Sequence, residues 1–427
     1  MTLNSTYNTS PVLAQLRSGN VGADVFGDSL IAGQPSASGQ GWDNIYLAMQ
    51  RSWSLGNLRG FSTDLWRDAI QYTPTPDHSG SVADTADQKK PNGTNTWSPS
   101  ATDEGVLGML NGTEVAGLST QTAALLSVVW SGSTLAAMAG YSTLPVVKSA
   151  QLSLSAITHN HTDGAAGQLQ LIPGSGTIAG STINTATGAG ITKSSLAATD
   201  SSASSSVTAR WRQRTGEGDQ SSNYARFGQW ILVAGDITGV TLTGCGIGGT
   251  DIQDLTNEIG DSPAGLCSDA ALSAYQTVTG ATVAIVMVGR NDSGTAKATL
   301  QTQYEAYFDR LAAAGYTHIM TIGNYWDQAM TEAQTVDLNE AMQDACREHN
   351  AGSGAVASNV SLYRLGGQAR VAADLLEDST HLTQAGADAQ WALVQGAMDD
   401  RGGGGGKHAW LARHPARRRR KVASNAD

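Results

Sequence analysis

Four short stretches hold residue types that do chemistry when a fold brings them together. Gly27-Asp28-Ser29-Leu30 offers a hydroxyl where an apolar run turns toward a helical pattern. A serine there sits at the carboxyl edge of a sheet, where open α/β folds bind ligands, with its amide near a helix start. Gly246-Ile247-Gly248-Gly249-Thr250 follows Val240–Thr243, which reads as a strand, and its glycines let backbone approach a ligand closely. Gly289-Arg290-Asn291-Asp292 follows the most apolar run of the chain, and an Asn amide at a strand end can donate to a developing oxyanion. Asp378-Ser379-Thr380-His381 sets a carboxylate three residues before an imidazole, close enough to fix its tautomer and orient it as a base. Taken singly, each has a plainer reading as a turn or a cap.

The elements that must position these stretches alternate in type. Residues 21–26 read as a short buried strand, and a helical pattern runs from about Trp42 to Trp53 through Ile45, Tyr46 and Met49. Ala281–Val288 is a continuous apolar run, as expected of a strand buried on both faces. Residues 301–314 read as a helix with Tyr304, Tyr307, Phe308 and Leu311 on one side. His318–Ile322 follows as a strand, Thr335–His349 as a helix, Ser361–Leu365 as a last strand and Gln384–Met398 as a closing helix. Strands alternating with helices imply a parallel sheet covered on both faces.

The middle of the chain differs. Between 151 and 210, 27 of 60 residues are Ser, Thr or Gly. Gln151–Ser155 and Gln168–Leu171 alternate strictly, the period of half-buried antiparallel strands. Residues 61–230 therefore read as an inserted β-rich domain, expected as a β-sandwich. It divides a first part (1–60) from a second (231–400) of one α/β domain. Residues 401–427, with five consecutive glycines and Arg417–Lys421, read as a disordered Gly/Arg-rich tail.

Together, and in this order, the four stretches resemble the blocks of the SGNH (GDSL) hydrolase family of serine esterases and lipases. The resemblance covers roughly 20–60 and 235–400. It implies a flavodoxin-like three-layer α/β/α sandwich with a parallel sheet, here interrupted by the insertion. It also implies that Ser29 is the nucleophile, His381 its general base and Asp378 the residue that orients His381. The amides of Ser29 and Gly249, with the Asn291 side chain, would form the oxyanion hole. The activity implied is carboxylic ester hydrolysis without a metal or organic cofactor. O-acetylated carbohydrate is the first expectation for substrate and short- or medium-chain acyl esters or lipids the second. A departure is the 220-residue interval from Ser29 to Gly249, against a few tens in typical members, which puts any substrate inferred from compact relatives in doubt.

Other arrangements fit less well. Gly27-x-Ser29-x-Ile31 lacks the second glycine of the G-x-S-x-G nucleophile elbow, and Ser…Asp…His is not the chymotrypsin order. His159-Asn160-His161 offers two imidazoles with no third metal ligand nearby in sequence, and Arg210, Arg212 and Arg214 read as a solvated sheet face. Three cysteines in 427 residues give no even disulfide framework. The tail carries a charge of +7 and the remaining 400 residues −18, so no specific nucleic-acid partner is expected of the body. No apolar run reaches the length of a membrane span, and Met1–Tyr7 has neither the basic nor the apolar region of a secretory signal. Compartment and oligomeric state stay open. A different class, a phage or surface binding protein on an inactive hydrolase scaffold, is weighed against the enzyme.

Overall fold

Strand and helix signals alternate in this chain because two kinds of burial alternate. In strand Val21–Gly27 the neighbours Val25 and Phe26 enter different hydrophobic clusters, and so do Ile285 and Val286 of strand Ala281–Met287. Successive side chains on a strand point to opposite faces, so both faces of this sheet are packed and these strands are mainly apolar, with Asp24 and Thr282 as the exceptions. The computed structural model describes residues 3–32, 44–64, 229–246, 249–256, 269–352 and 354–399, with strand segments between 97 and 213.

Six strands run parallel, in the order Val356–Ser361, His318–Gly323, Ala281–Met287, Val21–Gly27, Val240–Gly246 and Leu58–Asp64. The short strand Thr6–Tyr7 adds antiparallel at one edge. At the other edge Gln229–Ala234, Gln151–Asn160 and Gly190–Thr199 follow, each antiparallel to its neighbour. The sheet is therefore mixed and mostly parallel, which corrects the expectation of a parallel one. Antiparallel neighbours need no crossover helix, and the described residues of the Ser/Thr-rich stretch are strands.

The alternating runs fall on strands Gln151–Asn160 and Ala166–Pro173. A second sheet of six strands contains Ala166–Pro173, Ser206–Gln213 and Leu125–Ser131. The boundary drawn near 60 and 230 thus crosses strands Leu58–Asp64 and Gln229–Ala234, and strands from within 61–230 continue the sheet of the flanking chain. The tail at 401–427 and His161 and Arg214 lie outside the described residues.

Helix Ile45–Ser52 is buried on all sides from Ile45 to Gln50, not only on the face of Ile45, Tyr46 and Met49 that its spacing implies, and it is capped by Asn44, whose side chain accepts the Leu47 amide at 2.7 Å. Lys297–Ala314 buries Tyr304, Tyr307, Phe308 and Leu311, and Glu332–Ala351 opens on a capping box of Thr331 and Gln334. The last strand is Val356–Ser361, which corrects the expected Ser361–Leu365, and Leu362–Leu365 forms a helical turn. Ser361 ends the strand by capping that turn, accepting the Arg364 amide at 3.4 Å. Ser358 and Asn359 are fully buried on this strand because their side chains bond Ile319 O at 3.1 Å and Thr321 Oγ1 at 2.8 Å.

Candidate active site

Every candidate residue follows the carboxyl end of a parallel strand or lies in a loop above those ends. Ser29 begins the short helix Ser29–Ala32 directly after strand Val21–Gly27, and it is 5% exposed. The turn is tight: a Cβ on Gly27 would stand 2.2 Å from the Met287 carbonyl oxygen and 2.5 Å from Ile31 Cγ1. Only glycine lets these two strand ends approach so closely.

Asp28, between them, is fully buried and bridges two stretches. Its Oδ1 accepts the Leu30 amide at 2.9 Å, and its Oδ2 accepts the Arg290 amide at 3.2 Å. Burial raises the Asp28 carboxyl to about 6 against the opposing pull of those amide bonds.

The Asn291 turn and the Gly249 turn are joined. Asn291 Nδ2 donates to Thr250 O at 2.8 Å, which occupies one of its two N–H groups. Beside it Asp292 accepts the Ile252 amide at 3.0 Å. Burial, with the carboxylates of Asp251, Asp28 and Asp254 nearby, raises the Asp292 carboxyl to about 7. Gly249 holds φ at +85°, a left-handed conformation that glycine adopts freely. Ile247 and Gly248 lie outside the described residues.

Asp378 and His381 form a hydrogen-bonded series with Ser29. His381 Nε2 lies 3.0 Å from Ser29 Oγ, and His381 Nδ1 lies 2.7 Å from Asp378 Oδ2. The other oxygen, Asp378 Oδ1, accepts the amides of Thr380 at 2.6 Å and His381 at 2.7 Å. Partial burial works to raise the Asp378 carboxyl. The bonds from the His381 amide and ring and from the Thr380 amide outweigh it, so its pKa lies below the ordinary value. An ionised carboxylate on Nδ1 places that proton there and leaves Nε2 to accept from a hydroxyl. Helix Gln384–Asp399 roots the loop through Trp391, stacked on Trp53 with ring centroids 5.6 Å apart.

Ser29 and Asp378, expected from sequence, thus meet through His381, and Asn291 and Gly249 meet through Thr250. Sequence reasoning passed over Asp28, Arg290, Asp292 and Thr380, which lie inside three of the four stretches, and Tyr325 and Asp327. The signal for the last two was their position just after strand His318–Gly323.

Among the described residues no group of three or more His, Cys, Asp and Glu is placed to hold a metal ion, and no helix is long and apolar enough to cross a membrane. A polar cavity of about 300 Å³ lies away from Ser29, near the amino ends of strands Val21–Gly27 and Val240–Gly246, lined in part by Asp24, Arg59 and Lys193.

Fold and site together define an α/β protein with a mostly parallel sheet and a Ser–His–Asp series above its strand ends. No family model matches the chain, and no curated protein sequence does. Solved structures similar to it include a lipase/acylhydrolase from Enterococcus faecalis (16% identity, 38% of this chain, 76% of that one, TM-score 0.28). A carbohydrate esterase family 3 protein from Talaromyces cellulolyticus is similar at 14% identity, over 37% of this chain and 70% of that one, TM-score 0.28. A lipolytic protein of the G-D-S-L family from Veillonella parvula is similar at 15% identity, over 37% and 79%, TM-score 0.27. With TM-scores this low the likenesses assign the chain to no family.

Proposed function

We propose that the protein is a serine hydrolase cleaving carboxylic esters through an acyl-serine intermediate. The observation that carries this reading is the unbroken series Ser29 Oγ, His381 Nε2, His381 Nδ1 and Asp378 Oδ2, with separations of 3.0 and 2.7 Å. A serine hydroxyl is a weak nucleophile until a neighbouring base takes its proton.

In the first half-reaction Ser29 Oγ attacks the ester carbonyl carbon as its proton passes to His381 Nε2. The carbonyl π electrons move onto oxygen, where the amides of Ser29 and Gly249 and the free N–H of Asn291 are proposed to meet the charge. Collapse breaks the bond to the alcohol oxygen, which leaves with the proton from His381. In the second half-reaction a water gives its proton to His381 and attacks the acyl carbon. Ser29 Oγ leaves, takes the proton back, and the carboxylic acid is released. Asp378 orients His381 throughout and stabilises the transient imidazolium.

For the substrate we propose an O-acetyl ester of carbohydrate. Its support is the long β-rich stretch between Ser29 and Gly249, which supplies more surface than a small ester needs. The proposed organisation places the hydrolase site on two parts of the chain, 1–60 and 231–400, with 61–230 inserted between them and its strands Gln151–Asn160 and Gly190–Thr199 extending the same sheet.

The test is hydrolysis of p-nitrophenyl acetate and octanoate by the wild type and Ser29→Ala, followed by acetate release from acetylated xylan. Acetate turnover lost in Ser29→Ala by at least about 10³-fold, with octanoate poor, is expected. Preference for octanoate would move the substrate to longer acyl esters. Wild-type activity no greater than that of Ser29→Ala on every ester would sink the hydrolase and favour a binding protein on an inactive scaffold.

A further inference from the structure

We propose that Arg290 is a positioning residue that locks the loop carrying Asp378 and His381 to the turn carrying Ser29. The inference rests on the hydrolase reading above and adds to it a residue outside the hydrogen-bonded series.

Arg290 touches three parts of the site at once. Its amide donates to Asp28 Oδ2 at 3.2 Å, one residue before Ser29. Its Nε pairs with Asp327 Oδ2, and its Nη2 donates to Thr380 Oγ1 at 3.1 Å, between Asp378 and His381. Its own neighbour in the chain is Asn291. One side chain and one amide thus connect the nucleophile turn, the proposed oxyanion turn and the base loop.

The far end of this bracket is buried and hydrogen-bonded. Asp327 is fully buried, and its Oδ1 accepts the amides of Ala329 and Met330 at 2.8 Å each. The same segment grips the base loop twice more. Tyr325 OH donates to Thr380 O at 2.7 Å, and the Gln328 amide donates to Ser379 O at 2.9 Å. Burial holds the Tyr325 hydroxyl protonated far above its ordinary range, so it remains a donor.

The loop needs such a grip. The Asp378 side chain is 44% exposed, and surface loops move more than the elements they join. A shift of about 1 Å between nucleophile and base can cost on the order of 10² in rate. Lysine cannot replace the arginine here, because two donors at fixed spacing reach Asp327 and Thr380 together.

The test uses the full chain with p-nitrophenyl acetate. It compares Arg290→Lys and Thr380→Val with wild type in kcat, KM and unfolding temperature. It also follows the downfield proton resonance of the His381–Asp378 hydrogen bond and labelling of Ser29 by a fluorophosphonate. Thr380→Val removes the bond from Arg290 to the loop and leaves the buried pair with Asp327 intact, so it answers the question if Arg290→Lys folds poorly. Expected are a kcat lower by about 10–100-fold for Arg290→Lys and several-fold for Thr380→Val. KM should stay within about twofold, with the downfield resonance broadened or lost at unchanged unfolding temperature. Wild-type kcat and resonance in both folded variants, with Ser29 labelled and active, would overturn the positioning role alone. A wild-type Ser29 that neither reacts with the probe nor turns over any ester would overturn the hydrolase reading, and the positioning role with it.

Discussion

Asn291 spends one of its two amide protons on Thr250 O, and that bond aims the other. If the remaining N–H meets the oxyanion, its worth appears only when charge develops on the carbonyl oxygen. Asn291→Ala is therefore expected to lower kcat for p-nitrophenyl acetate by about 10²–10³-fold, with KM changed little. A variant losing KM and keeping kcat would make Asn291 a ground-state contact or a cap. At this scale the sequence was legible where chemistry is local. The amide bonds from Thr380 and His381 to Asp378 span two and three residues, so the Asp378–His381 spacing was informative. The bond from Arg290 to Asp327 spans 37 residues and that from Arg290 to Thr380 spans 90, and no local pattern announces either.

Among the elements, strand Val21–Gly27 carries a buried carboxyl in its middle. Asp24 is fully buried on it and accepts from Thr243, from Tyr316 at 2.6 Å and from Thr279 at 2.9 Å. Burial outweighs these bonds and raises its carboxyl from 3.8 to about 6. A carboxyl whose folded pKa lies above its unfolded value binds its proton more tightly in the native state. Its contribution to stability is complete below about pH 4 and is lost as pH rises through 6. Asp28 and Asp292 have the same sign. Asp24→Asn keeps the shape without the charge, so its stability relative to wild type should rise between pH 4.5 and 7.5. The change expected is on the order of 2 kcal/mol. Urea unfolding at the two pH values measures it, and a gap independent of pH would show that Asp24 ionises freely in the fold. Elements with a mainly apolar pattern, such as Ala281–Met287, were legible as strands. Val356–Ser361 was misplaced because Ser358 and Asn359 look like loop residues until the Ile319 carbonyl and Thr321 hydroxyl satisfy them.

For the whole molecule, the question is whether 61–230 is an insert that can be detached. Asp64 and Gln229 stand directly opposite one another in the ladder, so an Asn-Gly turn could replace residues 65–228 and close a hairpin. The deletion would also strip Gln151–Asn160 from Gln229–Ala234, leaving the latter as an open sheet edge. Ile231, buried in a cluster with Ile157 and Ile191, would lose both of those neighbours. The shortened chain is expected to self-associate on size-exclusion chromatography and to unfold at lower temperature than the intact protein. A monodisperse monomer at the wild-type unfolding temperature would mark 61–230 as an independent domain.

The sequence by itself determined what depends on nearest neighbours. It determined the buried face of Lys297–Ala314, the buried strands Val21–Gly27, Ala281–Met287 and His318–Gly323, and the four stretches that hold the candidate residues. Periodicity and turn chemistry are written within a few residues of each other, and so they can be read there. Only the tertiary structure decided that the sheet continues antiparallel past Leu58–Asp64, that Asp28 and Arg290 join separate strand ends, and that His381 reaches Ser29 from 352 residues away. Those outcomes turn on which distant groups satisfy one another once water is excluded, and that is settled by packing rather than by local pattern.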